Sequence, residues 1–271
     1  MTGIWILPGL CFAYLFLIAP RIPKRPLKEP AGLYAHRGLW NGERPENSLS
    51  AFRAAAEQGF GMEMDVHLTK DGQTVVFHDD NLRRMCGTDR ELTECTLAEL
   101  KELRLKGTEE RIPTFDEFLE TVDGKVPLIV EIKTCERLEE LCRKTAERLD
   151  RYDGQFSVES FDPRAVKWFR KNRPDWTRGQ LTMGPGGRKR TLKDVMLASQ
   201  MGNMLGRPDY LACEHETDGI LPLRLARLFR PHLVTWTVRS QADLDRLKKR
   251  YEIQIFEGFV PETDRPERPR S

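Results

Sequence analysis

The chain has 271 residues, 39% of them hydrophobic, and its 44 Lys and Arg against 42 Asp and Glu leave a formal net charge of +2. Such a balance excludes nucleic-acid binding through bulk positive charge, and no one-sign block marks a disordered chain. The length suits one large α/β barrel or two smaller domains, and Cys11, Cys86, Cys95, Cys135, Cys142 and Cys213 contain no C-x-x-C pair, which excludes zinc ribbons and thioredoxin-like motifs.

In chain order, residues 1–20 carry no charged side chain, and Arg21, Lys24, Arg25 and Lys28 follow at once. About 20 uncharged residues suffice for a helix to cross a hydrocarbon core. The spacing predicts a transmembrane anchor over 1–20, with the short N-terminus outside and residues 21 onward in the cytoplasm. An export signal and a buried helix compete with this reading. The first would carry basic residues before the apolar run and a small-x-small site after it, and neither is seen. Residues 21–31 hold three prolines and four basic residues and read as a linker able to rest on anionic headgroups. The folded domain is expected over 32–260, and residues 261–271 form a Pro- and charge-rich loose tail.

Eight β-type runs follow, at 32–36, 60–66, 126–132, 155–160, 178–183, 209–213, 233–238 and 252–257. Helical patterns lie between them. Ser48 can cap 49–58, residues 136–150 carry a stripe of Leu138, Leu141, Cys142, Ala146 and Leu149, Asp162-Pro163 opens 163–171, and Ser240 can cap 240–250. This alternation predicts an α/β fold, a TIM-type (β/α)8 barrel with its site at the C-terminal strand ends. A doubly wound open sheet is the runner-up, without a Gly-rich dinucleotide fingerprint to support it.

One stretch breaks the alternation. Residues 64–69 and 74–79 flank Lys70-Asp71-Gly72-Gln73, a hairpin signal inserted after the second strand. A turn centred between 71 and 72 pairs residues whose numbers sum to 143, placing His78 opposite Asp65 and on the face shared with Glu63. A slip of one residue would turn His78 to the other face.

The chemistry-bearing residues gather at strand ends. Glu63, Asp65 and Glu131 are carboxylates in otherwise apolar strands, costly there unless a cation or a basic partner compensates them. Hard cations such as Mg²⁺ and Ca²⁺ prefer oxygen ligands of this kind. His36 and His78 titrate near neutrality and suit acid/base transfer. Arg37 and Lys133 carry fixed charge that matches a phosphate.

These motifs, His36-Arg37-Gly38, Pro45-Glu46-Asn47-Ser48, Glu63-x-Asp65-Val66, Leu68-Thr69-Lys70-Asp71-Gly72 and Val75-Val76-Phe77-His78-Asp79, resemble the glycerophosphodiester phosphodiesterase family. Ile112-Pro113-Thr114-Phe115, Glu131-Ile132-Lys133, Ser160-Phe161-Asp162 and Thr235-Trp236-Thr237-Val238 continue the resemblance over residues 33–257. It implies a TIM-type barrel that converts glycerophosphodiesters, with a divalent metal, to sn-glycerol 3-phosphate and an alcohol in phospholipid breakdown. It further implies metal ligation at Glu63, Asp65 and Glu131, acid/base roles for His36 and His78, and phosphate contacts from Arg37 and Lys133. Residues 66–120 correspond to the insertion that shapes the glycerol end. The chain departs from the family at Glu257-Gly258, where a Thr-Asp pair is usual.

Plainer roles stand beside these. The carboxylates and Lys133 can be mutual ion-pair partners. Glu46 and Asn47 read as loop-fixing residues, His67 as hairpin surface, and His215 and His232 as loop residues. Trp236 lines the pocket or fills the barrel, with the two readings even. Segment 183–207, with Arg188, Lys189 and Arg190 and four methionines, reads as a solvated loop and ordinary helix in preference to a lid. Two functions compete with the leading one: a lysophospholipase D acting on membrane lysophospholipids, and a catalytically silent phosphodiester-binding module. The expected partners are the small substrate and membrane lipid through the N-terminal helix, without nucleic acid or a protein partner.

Overall fold

The structure is a computed structural model that describes residues 6–28, 30, 32–184, 192–217 and 219–262. Each apolar run between polar turns becomes a strand, and each intervening amphipathic run becomes the crossover that a parallel neighbour requires. The strands are β1 (Gly32–His36), β2 (Gly61–Leu68), β3 (Thr74–Val76), β4 (Leu128–Ile132), β5 (Phe156–Ser160), β6 (Arg178–Thr182), β7 (Tyr210–Glu214), β8 (His232–Val238) and β9 (Ile253–Phe256). Their order is β1-β9-β8-β7-β6-β5-β4-β2, and the parallel β1–β2 pairing closes the ring, with His36 beside Glu63. Eight parallel strands thus form the expected barrel, and β3 lies outside it, antiparallel on the end of β2.

The expected caps are present. Ser48 accepts from Ala51 N at the start of α2 (Leu49–Glu57), Asp162 from Arg164 N ahead of α7 (Pro163–Asn172), and Ser240 from Asp243 N ahead of the last helix, Gln241–Leu247. Helix α6 (Leu138–Leu149) buries the predicted stripe. All eight residues of β2 are buried. Met62, Met64, Val66 and Leu68 join the apolar layer between barrel and helices, so Glu63, Asp65 and His67 point the other way, into the barrel.

The hairpin register differs from expectation. Val66 pairs with Val76, His67 with Val75 and Leu68 with Thr74, so paired numbers sum to 142 and Phe77, not His78, stands opposite Asp65. The pairing closes at Thr69 and Gln73, where Thr69 N donates to Gln73 O and Gly72 N donates back to Thr69 O, so the loop holds the three residues 70–72 and not the expected two. His78 still reaches the site because β3 ends at Val76 and the chain leaves the ladder there. His67, expected on the hairpin surface, is 1% exposed and its Nε2 lies 3.2 Å from His78 O. The insertion builds its own core from Val75, Phe77, Leu82, Met85, Leu92 and Ile112, with α3 (Arg83–Cys86) and α4 (Leu97–Glu102) contributing to it, whereas α5 (Phe115–Val122) buries its apolar face in the main core.

The membrane-crossing anchor expected over 1–20, and the contact with membrane lipid drawn from it, find no support. Helix α1 spans Ile6–Ile18, 13 residues, about 20 Å at 1.5 Å per residue against roughly 30 Å of hydrocarbon. No helix among the described residues is long and apolar enough to cross a membrane. The end of α1 is docked on the protein: Tyr14 Oη donates to Ser199 O, Asn203 Nδ2 to Ile18 O, and Arg207 Nη1 to Phe16 O and Ala19 O. Ile18 is fully buried. These contacts fall on α9 (Asn203–Gly206) and the end of α8 (Leu192–Ala198).

The basic segment after α1 is equally engaged. Arg21 Nη1 lies 3.2 Å and Arg25 Nε 2.8 Å from Asp209 Oδ1, and Asp209 Oδ2 accepts from Arg178 N at 3.1 Å. His232 is not a loop residue: it is buried at the start of β8, bonded to Glu252 and, through Nε2, 2.8 Å from Arg25 O. Residues 1–5 and 188–190 and most of the 261–271 tail lie outside the described residues.

Candidate active site

Carboxyl groups of Glu63, Asp65 and Glu131 offer ligand atoms within 4.8 Å of one another, all buried. Local geometry forces this convergence. Glu63 and Asp65 share a face of β2, and the β2–β4 register sets Asp65 beside Glu131. The donor set is oxygen only, and the basic group in ion-pair range of Glu63 is the His36 imidazole, 3.8 Å away. Such a set fits a hard divalent cation of the Mg²⁺ or Ca²⁺ kind.

Positive side chains reach the triad from the ends of β1 and β4, the two strands that flank β2. Lys133 Nζ stands 3.2 Å from Asp65 and 3.0 Å from Glu131. Arg37 Nε lies 3.5 Å from Asp65 and its Nη1 2.7 Å from Glu46. Arg37 adopts φ 57, which turns the chain sharply after β1 so that its backbone N–H reaches Glu63 O at 3.0 Å. Asn47, also at positive φ, donates from Nδ2 to Asp65 at 2.9 Å.

Two imidazoles flank the triad, each held by a carboxylate. His36 Nδ1 sits 2.5 Å from Glu257 Oε2, and Arg239 pairs with the same carboxyl group at 2.7 Å. His78 Nδ1 sits 2.6 Å from Asp79, which Arg84 binds at 2.6 Å; Arg84 also grips Glu46. A carboxylate at Nδ1 fixes the proton there and leaves Nε2 as the nitrogen of each ring with a lone pair to offer. Trp236 packs edge-on against Phe161, with ring centroids 5.7 Å apart.

The electrostatics follow from crowding negative charge in a dry place. Burial raises Glu63 well above the usual carboxylate range, and the Asp65 and Glu131 charges add to the rise. Burial also lifts Glu131, to about 6, against the pull of Lys133. For Asp65 burial is outweighed by Lys133, His78 and Arg37, which keep it ionised far below its ordinary value. Burial lowers both His36 and His78, so both rings favour the neutral form that accepts a proton. Glu257 resists its own burial and falls to about 2 through its bonds to His36 and Arg239.

All seven strand-end residues singled out in the sequence, His36, Arg37, Glu63, Asp65, His78, Glu131 and Lys133, thus meet at one end of the barrel. Sequence reasoning missed the supports: Glu46, Asn47, Asp79 and Glu257. Glu257 was visible as a departure from the family pattern, and the carboxylate following a strand end was its signal. Asp79 adjoins His78 in sequence, but nothing in the spacing shows that it is the ring's partner.

The comparisons agree with this geometry. A sequence model of the Glycerophosphoryl diester phosphodiesterase family matches residues 36–256. YhdW of Bacillus subtilis, which bears the glycerophosphodiester phosphodiesterase name, is 29% identical over 231 residues, 80% of this chain and 89% of that protein. The human protein named Lysophospholipase D GDPD1 is 33% identical over 132 residues, 44% of this chain and 41% of its own. Among solved structures, an Oleispira antarctica phosphodiesterase in complex with sn-glycerol-3-phosphate superimposes with a TM-score of 0.69 at 25% identity, covering 85% of this chain and 93% of that one. A Thermotoga maritima glycerophosphodiester phosphodiesterase gives 0.63 at 26% identity, over 83% and 93%. The chain belongs to the glycerophosphoryl diester phosphodiesterase family, enzymes of the phosphoric diester hydrolase class.

Proposed function

We propose that the protein hydrolyses glycerophosphodiesters to sn-glycerol 3-phosphate and an alcohol with a divalent cation, Mg²⁺ or Ca²⁺, held by Glu63, Asp65 and Glu131. The observation that carries this reading is the buried acidic triad flanked by two carboxylate-held imidazoles. When bound, the cation supplies charge that offsets the negative charge growing on the phosphoryl oxygens. Arg37 and Lys133, both against Asp65, orient the phosphodiester through its anionic oxygens. One imidazole removes the proton of the attacking oxygen through Nε2. The other enters the step as its imidazolium and gives its Nε2 proton to the alkoxide as the P–O bond breaks, so one ring gains the proton that the other loses.

The second reading, a lysophospholipase D, is favoured by an apolar cavity beside the site and by the likeness to the human relative of that name. The test is a product assay for glycerol 3-phosphate with glycerophosphocholine and glycerophosphoethanolamine, with and without added Mg²⁺ or Ca²⁺. Metal-dependent release is the expected result. Substrate binding without turnover at any metal concentration overturns it in favour of a silent binding module.

A further inference from the structure

We propose that the pocket at the N-terminal end of the barrel, walled by Arg21, Arg170, Arg178 and Arg207, binds a phosphomonoester. This site is separate from the hydrolase centre and does not depend on that reading. The pocket has a volume of about 500 Å³, within the range of small-molecule sites. Arg178 opens β6, Arg207 comes just before β7, and Arg170 lies in the last turn of α7. The pocket therefore sits at the end of the barrel opposite the candidate active site.

Four arginines line this pocket and no carboxylate does. Asp209, buried and off the lining, is shared by Arg21, Arg25 and Arg178. Among the described residues Arg170 and Arg207 have no carboxylate partner, yet both are held in place. Arg170 Nη1 donates to Met204 O at 3.3 Å and to Leu205 O at 3.2 Å. Arg207 Nη1 donates to Phe16 O at 2.8 Å and to Ala19 O at 2.7 Å, and its guanidinium stands 4.5 Å from the Phe16 ring centre. Among the described residues, Nε and Nη2 of both side chains donate to nothing. That edge of a guanidinium is the fork that grips a phosphate through two oxygens. Pinning each ion by its other nitrogen means that little side-chain freedom is lost when an anion arrives.

The crowding of like charge is visible in the arginines themselves. Burial lowers Arg207, and Arg170 adds to the fall. Burial brings Arg178 down to about 10 in spite of Asp209, with Arg21, Arg25 and Arg170 acting in the same direction. An anion in the pocket relieves this repulsion, and a phosphomonoester carries close to two negative charges at neutral pH. Its three terminal oxygens can accept from Arg170, Arg207 and Arg21 together, whereas a carboxylate has only two oxygens to offer. Phe16 and Ile22, 56% and 64% exposed on the same lining, give an apolar contact to the organic part of the ligand. A soluble phosphomonoester and a lipid with a phosphomonoester headgroup present the same group.

Calorimetry on the full, metal-free chain tests the site with phenyl phosphate and acetate. Phenyl phosphate should bind saturably with a Kd below about 1 mM, at least tenfold tighter than acetate, and more weakly as salt is raised. Arg170→Glu, at an exposed position of α7, and Arg207→Gln, which keeps a donor for the carbonyls of α1, should each weaken it at least tenfold. Arg170→Glu alone carries the test if Arg207→Gln does not fold. Arg37→Ala combined with Lys133→Ala removes the phosphate contacts of the candidate active site and should leave this binding within a factor of two. Sedimentation with phosphatidylcholine vesicles, with and without phosphatidate, separates the two sources. Phosphatidate-dependent capture that Arg170→Glu abolishes assigns the lipid headgroup, and binding of phenyl phosphate without capture assigns a soluble ligand. The proposal is overturned by equal affinity for acetate, by binding that survives in Arg170→Glu, by binding that is lost in the Arg37 and Lys133 double variant, or by failure of both phenyl phosphate and phosphatidate to bind.

Discussion

Two buried charge clusters sit at opposite ends of the barrel, and they are balanced in opposite ways. At the N-terminal end a single carboxylate, Asp209, is surrounded by Arg21, Arg25 and Arg178. At the C-terminal end Glu63, Asp65, Glu131 and Glu159 are all buried, and the fixed cations among them are Arg37 and Lys133. The lower cluster is complete as it stands: its carboxylate is paired and its work is to fasten the segment after α1 to the barrel. The upper cluster holds more carboxyl groups than fixed cations, in a place where uncompensated charge is costly. Burial accordingly drives Glu159 up to about 8 and Glu63 above its usual range. A surplus of buried carboxyl groups, part of them holding protons, is what a site for a divalent cation looks like before the cation binds.

The sharpest way to break the comparison is to remove carboxylates at the upper end. Glu63→Gln and Glu131→Gln should each abolish detectable divalent binding by calorimetry and lower turnover by on the order of a thousandfold, since several kcal/mol of transition-state stabilisation goes with the cation. Thermal stability of the metal-free protein should hardly change in Glu63→Gln, because the amide replaces a carboxyl that favours its neutral form. Retained metal affinity in both variants would remove the cation from the upper cluster. Next in size, His36→Ala and His78→Ala should each cost about 10²–10⁴-fold in turnover while leaving metal affinity intact. A p-nitrophenyl leaving group needs no proton, so it should rescue the variant that lacks the acid and not the one that lacks the base. Loss of metal in both variants would make the imidazoles ligands instead.

Much of the upper cluster was legible because its residues sit at strand ends. Period-two alternation exposed Glu63 and Asp65 as polar residues on one face of an apolar strand, and Glu131 stood out in the same way on β4. The strands themselves were legible because each apolar run is short and bounded by turn residues. What stayed hidden depended on non-local or single-residue geometry. Glu257 meets His36 across nearly the whole chain. The turn at Gly72 holds one residue more than its sequence suggested, so a wrong pairing for His78 accompanied a correct placement in the site. His67 faces inward with Glu63 and Asp65, yet its place in the hairpin made it look like surface. The uncharged start of the chain gave the composition of a membrane span, but composition cannot show that Asn203 and Arg207 bond the carbonyls at the end of α1. Asp209 and its three arginines carry no motif at all.

The carboxylates that support the rings sharpen the comparison at a finer level. Glu257→Gln should lower kcat about ten- to hundredfold with little change in KM, because the amide can present a donor to Nδ1 and favour the wrong tautomer of His36. Glu257→Asp should recover part of the rate, and a variant that merely lost packing would show no such rescue. At the other end, Asp209→Ala strands three guanidinium groups. Removing one member of a fully buried pair costs about 3–5 kcal/mol. The side chains of Arg21 and Arg25 are 30% and 23% exposed, so on the order of 2–3 kcal/mol is expected after allowance for water. Chemical denaturation should show that loss, while kcat on glycerophosphocholine stays within a factor of two. A fall in kcat with unchanged stability would show that the two ends are not separable.

The smallest effect concerns protons. Binding of a cation at the upper cluster must expel the protons that burial holds on Glu63 and on Glu131, the latter at about 6. Asp65 contributes no such proton, because Lys133, His78 and Arg37 keep it ionised. Affinity for Mg²⁺ or Ca²⁺ should therefore fall as pH drops below about 6, by up to roughly tenfold per unit for each proton displaced, and should rise more gently above it while Glu63 still holds its proton. Calorimetry in buffers of different ionisation enthalpy counts the protons released. In Glu131→Gln the site loses both a ligand and the proton that titrates near 6, so any residual binding should show a shallower acid limb. A metal affinity flat between about pH 5 and 8, with no proton release, would mean that the acidic triad enters the complex already ionised and that its surplus of charge is compensated by groups other than the cation.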